Sequence, residues 1–284
     1  MDIGISLENA RQTAKDLIKA SVHPALWNDN VRFTQKLRQA IQQHPVASHP
    51  AIQHLNEDRF DKDSLIGVHL EYRHAIVQIF TDALLMAQHQ SRQLEPRLSP
   101  GSKIYARFLL TLNDLDEFGF RPGSDQNGYY RGNPALSHYL LFESLLTEYG
   151  ISLEQRNRFT PSPIASEVRA FLESSYSQFG TLVALLAVAE EEVVLFSPPL
   201  RHNSASVGMD VSRGYYFVHG TSHDGDAEAF DDDHEDDLWH ILNQSLRPAD
   251  HEPVFSACMR YCDLWTAFWD AQLARLSVAQ DGTG

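Results

Sequence analysis

The chain is poor in cysteine, in basic residues and in long apolar runs, and each shortage excludes a class of protein. It has two cysteines in 284 residues, too few for a disulfide-built scaffold, and the expected compartment is a reducing one, the cytoplasm. Lysine and arginine number 23 against 38 aspartates and glutamates, a net charge of −15. A surface of that sign argues against nucleic acid and against anionic membranes as partners. The longest unbroken apolar run is Leu182 to Ala189, far short of the ~20 residues that span a bilayer. No basic segment followed by an apolar core opens the chain, so a secretory signal is not expected. Also missing are a P-loop, Gly-x-Gly-x-x-Gly, Gly-x-Ser-x-Gly and His-Glu-x-x-His, and with them the chemistries those spacings serve.

What is present is an ordinary globular composition, 43% hydrophobic and 21% charged, with fourteen histidines. The periodicity is helical almost throughout, and no segment alternates convincingly at period two. Helices are expected over Leu7 to Val22, with Ser6 as N-cap, and over Ala25 to Gln43. A polar connection, Pro45 to Lys62, leads to one long helix, Leu65 to Gln90. Pro96 and Pro100 mark a break, and Lys103 to Phe118 is the next helix. Arg121 to Gly132 reads as a loop. Pro134 opens a helix that Gly150 closes. Ile164 to Phe196 reads as one long helix ended by Ser197-Pro198-Pro199. Arg213 to His219 begins another segment, interrupted near Gly220 to Phe230 and resumed over Asp231 to Leu246. Val254 to Leu276 is last. With no clean linker, the expected architecture is a single all-α domain over 1–284. In it the helices of 1–100 pack on a bundle formed by 101–284.

The informative feature is acid and imidazole on apolar helix faces, because such groups are rarely buried unless paired or bound to metal. Glu117 ends a helix whose face also carries Ala106, Leu110 and Asn113, a poor place for negative charge beside the helix dipole. The bland reading is a surface carboxylate. His138 starts the stripe Leu141, Phe142, Leu145 and Tyr149; a lone histidine there is more often a hydrogen-bonded core residue. Glu190 shares the stripe of Leu172, Phe179, Val183 and Leu186, so it is the inward member of Glu190-Glu191-Glu192, with Glu191 an alternative if the helix boundary slips. His219 follows Tyr215 and Tyr216. Asp231 and His234 share a face that continues through Leu238, Ile241 and Leu242. His223 and His240 read as solvated or packing residues.

Carboxylates and imidazoles from four helices facing one core suit iron or manganese, and the lack of nearby cysteine argues against structural zinc. Two competitors use other residues. Glu71 and His74 form a Glu-x-x-His pair of the kind ferritin-like bundles use, but a second pair is missing. Asp224, Asp226, Glu228, Asp232 and Glu235 fall in an EF-hand register, yet Ala229 stands where the sharp turn needs glycine. Cys258 and Cys262 read as core thiols.

Over roughly Lys103 to Leu246 the pattern resembles the heme-oxygenase-like diiron oxidases, the iron-containing redox enzymes. The residues that carry the resemblance are Asp116-Glu117-Phe118-Gly119, the run from His138 to Gly150, Glu190 in an alanine-rich helix about fifty residues later, and His219 after aromatic residues. The family's closing motif is His-x3-Asp-x2-His. Here His223 stands in the place of the Asp, and an insertion of eleven residues separates His219 from Asp231 and His234, which are taken to resume the motif.

The resemblance implies an all-α, heme-oxygenase-like helical bundle, here with extra N-terminal helices. It implies two irons per chain, Fe(II) cycling with Fe(III), with Mn an alternative ion. The implied metal ligands are Glu117, His138, Glu190 or Glu191, His219, Asp231 and His234, with no catalytic residue beyond them. The implied activity is an iron-dependent oxidoreductase, an oxygenase or oxidase. O2 and an external electron donor would serve to oxidise a small amine, amino-acid or fatty-acid-like substrate, by N-oxygenation, desaturation or oxidative C–C cleavage. Two other classes compete: a metal-free helical binding or scaffold protein, and a thiaminase-II-like hydrolase, which shares the fold but uses a cysteine nucleophile. The first hundred residues stand outside the resemblance, either covering a substrate tunnel or forming a contact in a homodimer.

Overall fold

The computed structural model describes residues 8–219 and 231–281, and within them the side chains of 8–219 and 234–276. Ser6, His223 and most of the EF-hand register lie outside the described residues, as does the interruption at Gly220 to Phe230. The chain is almost wholly helical. Its α-helices are α1 (Ala10–Ala20), α2 (Pro24–Gln42), α3 (Pro50–Asn56), α4 (Lys62–Tyr72), α5 (Phe80–Gln90), α6 (Ser102–Glu117), α7 (His138–Glu148), α8 (Leu153–Arg158), α9 (Pro163–Ser174), α10 (Phe179–Ser206), α11 (Tyr215–Val218), α12 (Asp231–Ser245) and α13 (His251–Asp281). None of the described helices is long and apolar enough to cross a membrane.

Helix α10 is the axis of the bundle. Every residue from Leu182 to Glu190 is buried, and a helix apolar on all sides must be covered on all sides. It packs against α3, α5, α9, α12 and α13. One buried hydrophobic cluster extends from Ala14 on α1 to Leu276 on α13. The most apolar run of the sequence is thus the central helix.

Several boundaries differ from those expected, each for a local reason. The Pro45 to Lys62 connection contains a 3-10 turn, Pro45–Ser48, and then α3. Each starts with proline at its first turn after a histidine, and His44 Nδ1 and His49 Nδ1 accept the backbone N–H of Val46 and Ala51. The stretch Leu65 to Gln90 is split by a π-helical segment, Arg73–Val77, closed by the Gln78 N–H on the Arg73 carbonyl. Ile164 to Phe196 is two helices. The Ser175 hydroxyl donates to the Leu172 carbonyl at the end of α9, and Gln178 precedes α10 in extended conformation.

Helix α10 also runs straight through Pro198 and Pro199. A proline inside a helix removes a hydrogen bond and costs ~3 kcal/mol, yet the turns beyond it are anchored. Asn203 is fully buried, accepts from the Phe60 N–H and donates to the Phe60 carbonyl. Finally, the loop expected at Arg121 to Gly132 is an antiparallel hairpin, β1 (Phe120–Ser124) with β2 (Tyr130–Gly132). Its register shifts between Arg121 and Ser124, where Pro122 and Gly123 interrupt any alternation, which is why the sequence reads as a loop.

Candidate functional site

The hairpin joins the two residues at the centre of the site. Glu117 is the last residue of α6 and His138 the first of α7. The hairpin folds the intervening chain back on itself, so that His138 Nδ1 lies 3.0 Å from Glu117 Oε1. The adjacent Asp116 lies at the other edge of the same ring, with Oδ2 3.7 Å from His138 Nε2. Asp116 Oδ2 is also 4.0 Å from His234 Nε2, which comes from α12. Arg121 on β1 donates to Asp116 Oδ1 at 2.7 Å. The ring of His219 meets that of His138 edge to face at 4.5 Å and lies 4.3 Å from Tyr215. Glu190 Oε1 accepts from Asn113 Nδ2 at 3.2 Å. Glu117, His138, Glu190, His219 and His234 are all buried.

Several of these groups border a cavity of about 30 Å³ lined by Glu117, His138, Glu190 and His219 together with Tyr72, Ile76 and Val193, among others. At ~10–15 Å³ per water this admits a few small atoms. The π-helical segment supplies Ile76 and Val77 to its wall, and π-bulges frequently occur at functional sites. A second small apolar cavity beyond it shares Tyr72, Val193 and Tyr215. The larger cleft of about 400 Å³ near Arg97, Phe179 and Arg247 contains none of the candidate residues.

The electrostatics follow the clustering. Burial alone would push the Glu117 carboxyl up, but the charge and hydrogen bond of His138, with the charges of His219 and His234, hold it below its ordinary value. On the neighbouring turn burial raises Asp114 to about 7 despite the hydrogen bond from Gln88, and the Glu117 charge adds to the rise.

The three consecutive glutamates diverge, as helical geometry requires. Glu190 lines the cavity. Glu191 turns instead to Glu235 and Arg38; burial and the Glu235 charge raise it to about 8 against the opposing Arg38. Glu192 enters the core, accepts from the Tyr72 hydroxyl at 2.7 Å and Trp269 Nε1 at 3.0 Å, and is raised by burial to about 7. The structure thus gathers Glu117, His138, Glu190, His219 and His234 and leaves Glu191 on another face. Asp231 begins α12, but its side chain lies outside the described ones.

Sequence reasoning missed Asp116, Tyr72 and Tyr139. Asp116 is adjacent to the chosen glutamate and off the apolar stripe, so only the helix ending at residue 117 lets both carboxylates flank one imidazole. Tyr72 had a signal in the spacing Val68, Tyr72, Ile76. The competing pair separates into structural roles. Glu71 is held by Arg275 Nη2 at 2.5 Å and by the Ser162 N–H and hydroxyl, while His74 faces Ser166. Glu235, the one described member of the EF-hand register with a described side chain, is bound by Arg38 and Trp239.

The donors fit an ion bound by oxygen and nitrogen in kind: two imidazoles from different helices face one buried carboxylate oxygen that accepts no hydrogen bond among the described residues. Among the described residues, no three such side chains already surround one point at coordinating distance.

No protein-family model matches the chain, and no curated protein matches it in sequence. Solved structures do match in shape. A CADD-like protein of unknown function from Nostoc punctiforme PCC 73102 aligns at TM-score 0.60 and 16% identity, over 87% of this chain and 98% of that one. A second crystal structure of a CADD-like protein from the same organism aligns at 0.57 and 15%, over 88% and 97%. A TenA homologue from Pseudomonas syringae pv. tomato DC3000 aligns at 0.57 and 12%, over 87% and 93%. The fold is the all-α heme-oxygenase-like bundle. The likeness in shape runs well beyond Lys103 to Leu246, so most of the first hundred residues are part of what is shared.

Proposed function

We propose that the chain is a non-heme, iron-dependent oxidase or oxygenase that uses O2 on a small amine, amino-acid or fatty-acid-like substrate. The observation that carries this reading is the convergence of Glu117, His138, Glu190 and His219 on one small cavity, with His234 near Glu117. Ion donors would come from Glu117, His138, Glu190, His219, Asp231 and His234, with Mn an alternative to Fe. Bound iron supplies the redox chemistry that protein side chains lack. The chain supplies the rest. Glu117 sets the tautomer and tilt of His138, and Asn113 fixes Glu190. Ile76, Val77, Phe80 and Val193 give the cavity an apolar wall. The Tyr72 hydroxyl, bordering the cavity, has its hydrogen committed to Glu192. An external electron donor and a small-molecule substrate complete the reaction; N-oxygenation, desaturation and C–C cleavage all suit the reading.

The test is anaerobic Fe(II) titration of metal-stripped protein followed by rapid mixing with O2. Saturation near two irons per chain with O2 consumption above that of free iron is expected. His138→Ala and His234→Ala should abolish loading with helicity retained; stoichiometric iron in either variant overturns the reading.

The TenA homologue favours a second reading, a thiaminase-II-like hydrolase. Against it, Cys258 and Cys262 are buried on α13 and neither lines the cavity. Under that reading Cys258→Ala abolishes a metal-independent activity measured without O2.

A further inference from the structure

We infer that Asp116 is itself a metal ligand, sharing one ion with His138 Nε2 and His234 Nε2, and that Glu117 acts on that ion through the His138 ring. This rests on the metal reading above, adds Asp116 to its donors and moves Glu117 from direct donor to the residue that orients His138.

The argument begins with the two nitrogens of His138. Nδ1 lies 3.0 Å from Glu117 Oε1. An ionised carboxylate only accepts, so Nδ1 donates to Glu117 and Nε2 is the ring nitrogen turned away from it. That nitrogen faces Asp116 Oδ2 at 3.7 Å, beyond hydrogen-bond distance. The two atoms are held face to face with a gap between them. Ligands ~2.1 Å from a common ion stand roughly 3–4 Å apart. Both the 3.7 Å separation and the 4.0 Å from Asp116 Oδ2 to His234 Nε2 fall in that span.

The carboxylate is prepared for the role. Arg121 holds Oδ1 at 2.7 Å, which turns Oδ2 inward. Oδ2 is buried and accepts no hydrogen bond among the described residues, a costly state for a charged oxygen that a cation relieves. The two imidazoles come from α7 and α12, so one ion at Asp116 would tie together both ends of the site. Glu117, on the opposite edge of the His138 ring, then completes a carboxylate–histidine–metal arrangement, in which the outer carboxylate orients the ring and raises its basicity.

The experiment is anaerobic Mn(II) titration, free ion being counted by EPR, on wild type, Asp116→Asn and Glu117→Gln, each with its far-UV CD. Wild type should bind, Asp116→Asn should lose one ion equivalent, and Glu117→Gln should keep the count with affinity lowered ~10–100-fold. Wild-type binding with Asp116→Asn unchanged overturns this inference and leaves the metal reading standing. No binding by wild type overturns both. Should Asp116→Asn fold poorly, Asp116→Cys loaded with Co(II) decides the matter. A thiolate-to-cobalt charge-transfer band missing from wild type places residue 116 on the ion, and its absence in folded, Co(II)-loaded protein removes it.

Discussion

Tyr216 donates its hydroxyl hydrogen to His69 Nε2 across 2.6 Å, while His69 Nδ1 donates to the Leu65 carbonyl, also at 2.6 Å. Both ring nitrogens are thereby satisfied with the ring neutral. Burial lowers the pKa of His69 to about 4, with the Leu65 carbonyl opposing. The unfolded chain takes up this proton near pH 6.5 and the native chain does not until near pH 4. Stability contributed by the neutral ring is therefore complete above pH 6.5 and lost as pH falls toward 4. The expected contribution to the stability difference between pH 7.5 and 5 is about 2 kcal/mol. His69→Leu should be less stable at pH 7.5 yet lose that part of the pH dependence. Urea denaturation of both proteins at the two pH values checks this. The comparison with the variant matters because the raised carboxyls of Asp114, Glu191 and Glu192 act in the opposite sense, destabilising as pH rises.

Asn30 governs the end of the helix that carries His234. It is fully buried, and Nδ2 donates to the carbonyls of Asn243 and Leu246 at 2.9 and 3.0 Å while Oδ1 faces His251 Nε2 at 2.9 Å. The last carbonyls of a helix lack intrahelical partners, and here a side chain of α2 supplies them. Asn30→Ala strands them in the core and should cost roughly 2–3 kcal/mol, seen as a lowered denaturation midpoint with unchanged slope.

The parts of the fold legible in the sequence are those where helical phase and boundary signals agree. The inward placement of Glu117 and His138 is legible because each sits at a helix end next to an apolar stripe, and that of Glu190 because its phase matches Val183 and Leu186. Illegible were features set by partners distant in sequence. Nothing near Pro198 announces that Asn203 will bind Phe60 and keep the helix going. The π-helical segment at Arg73–Val77 leaves the local composition unchanged while shifting the phase of everything after it. Asp116 was passed over because a periodicity argument selects one residue per turn, and the chain uses two consecutive ones on either edge of one ring.

Cys258 and Cys262 are both fully buried; burial raises the Cys258 thiol well above its ordinary value and Cys262 to about 12. Thiols in that state are neither nucleophiles nor exposed to reagents. Native protein should leave a disulfide reagent such as DTNB unreacted at pH 8, with both thiols appearing in guanidinium. Reaction of either at the rate of a free thiol would restore the hydrolase reading.

The geometry that unites Glu117 with His138 depends on Gly119. Its φ is +82°, a left-handed conformation, and a Cβ there would stand 2.5 Å from the Asn133 carbonyl oxygen and 2.7 Å from Leu136 C. Those are backbone atoms of the chain entering α7, so no rotamer change relieves the clash, and the Asn133 N–H bond to the Gly119 carbonyl at 3.0 Å fixes the approach. Gly128, at the tip of the same hairpin, has φ +75° but nothing within 4 Å of its would-be Cβ. Gly128→Ala should therefore cost only the left-handed backbone, ~1–2 kcal/mol or less for an exposed turn. Gly119→Ala bears that cost and must also separate α6 from α7. It should lose distinctly more stability, and metal affinity with it, because Glu117 and His138 part. Equal destabilisation of the two variants, with metal binding intact in both, would mean that the hairpin does not set the site.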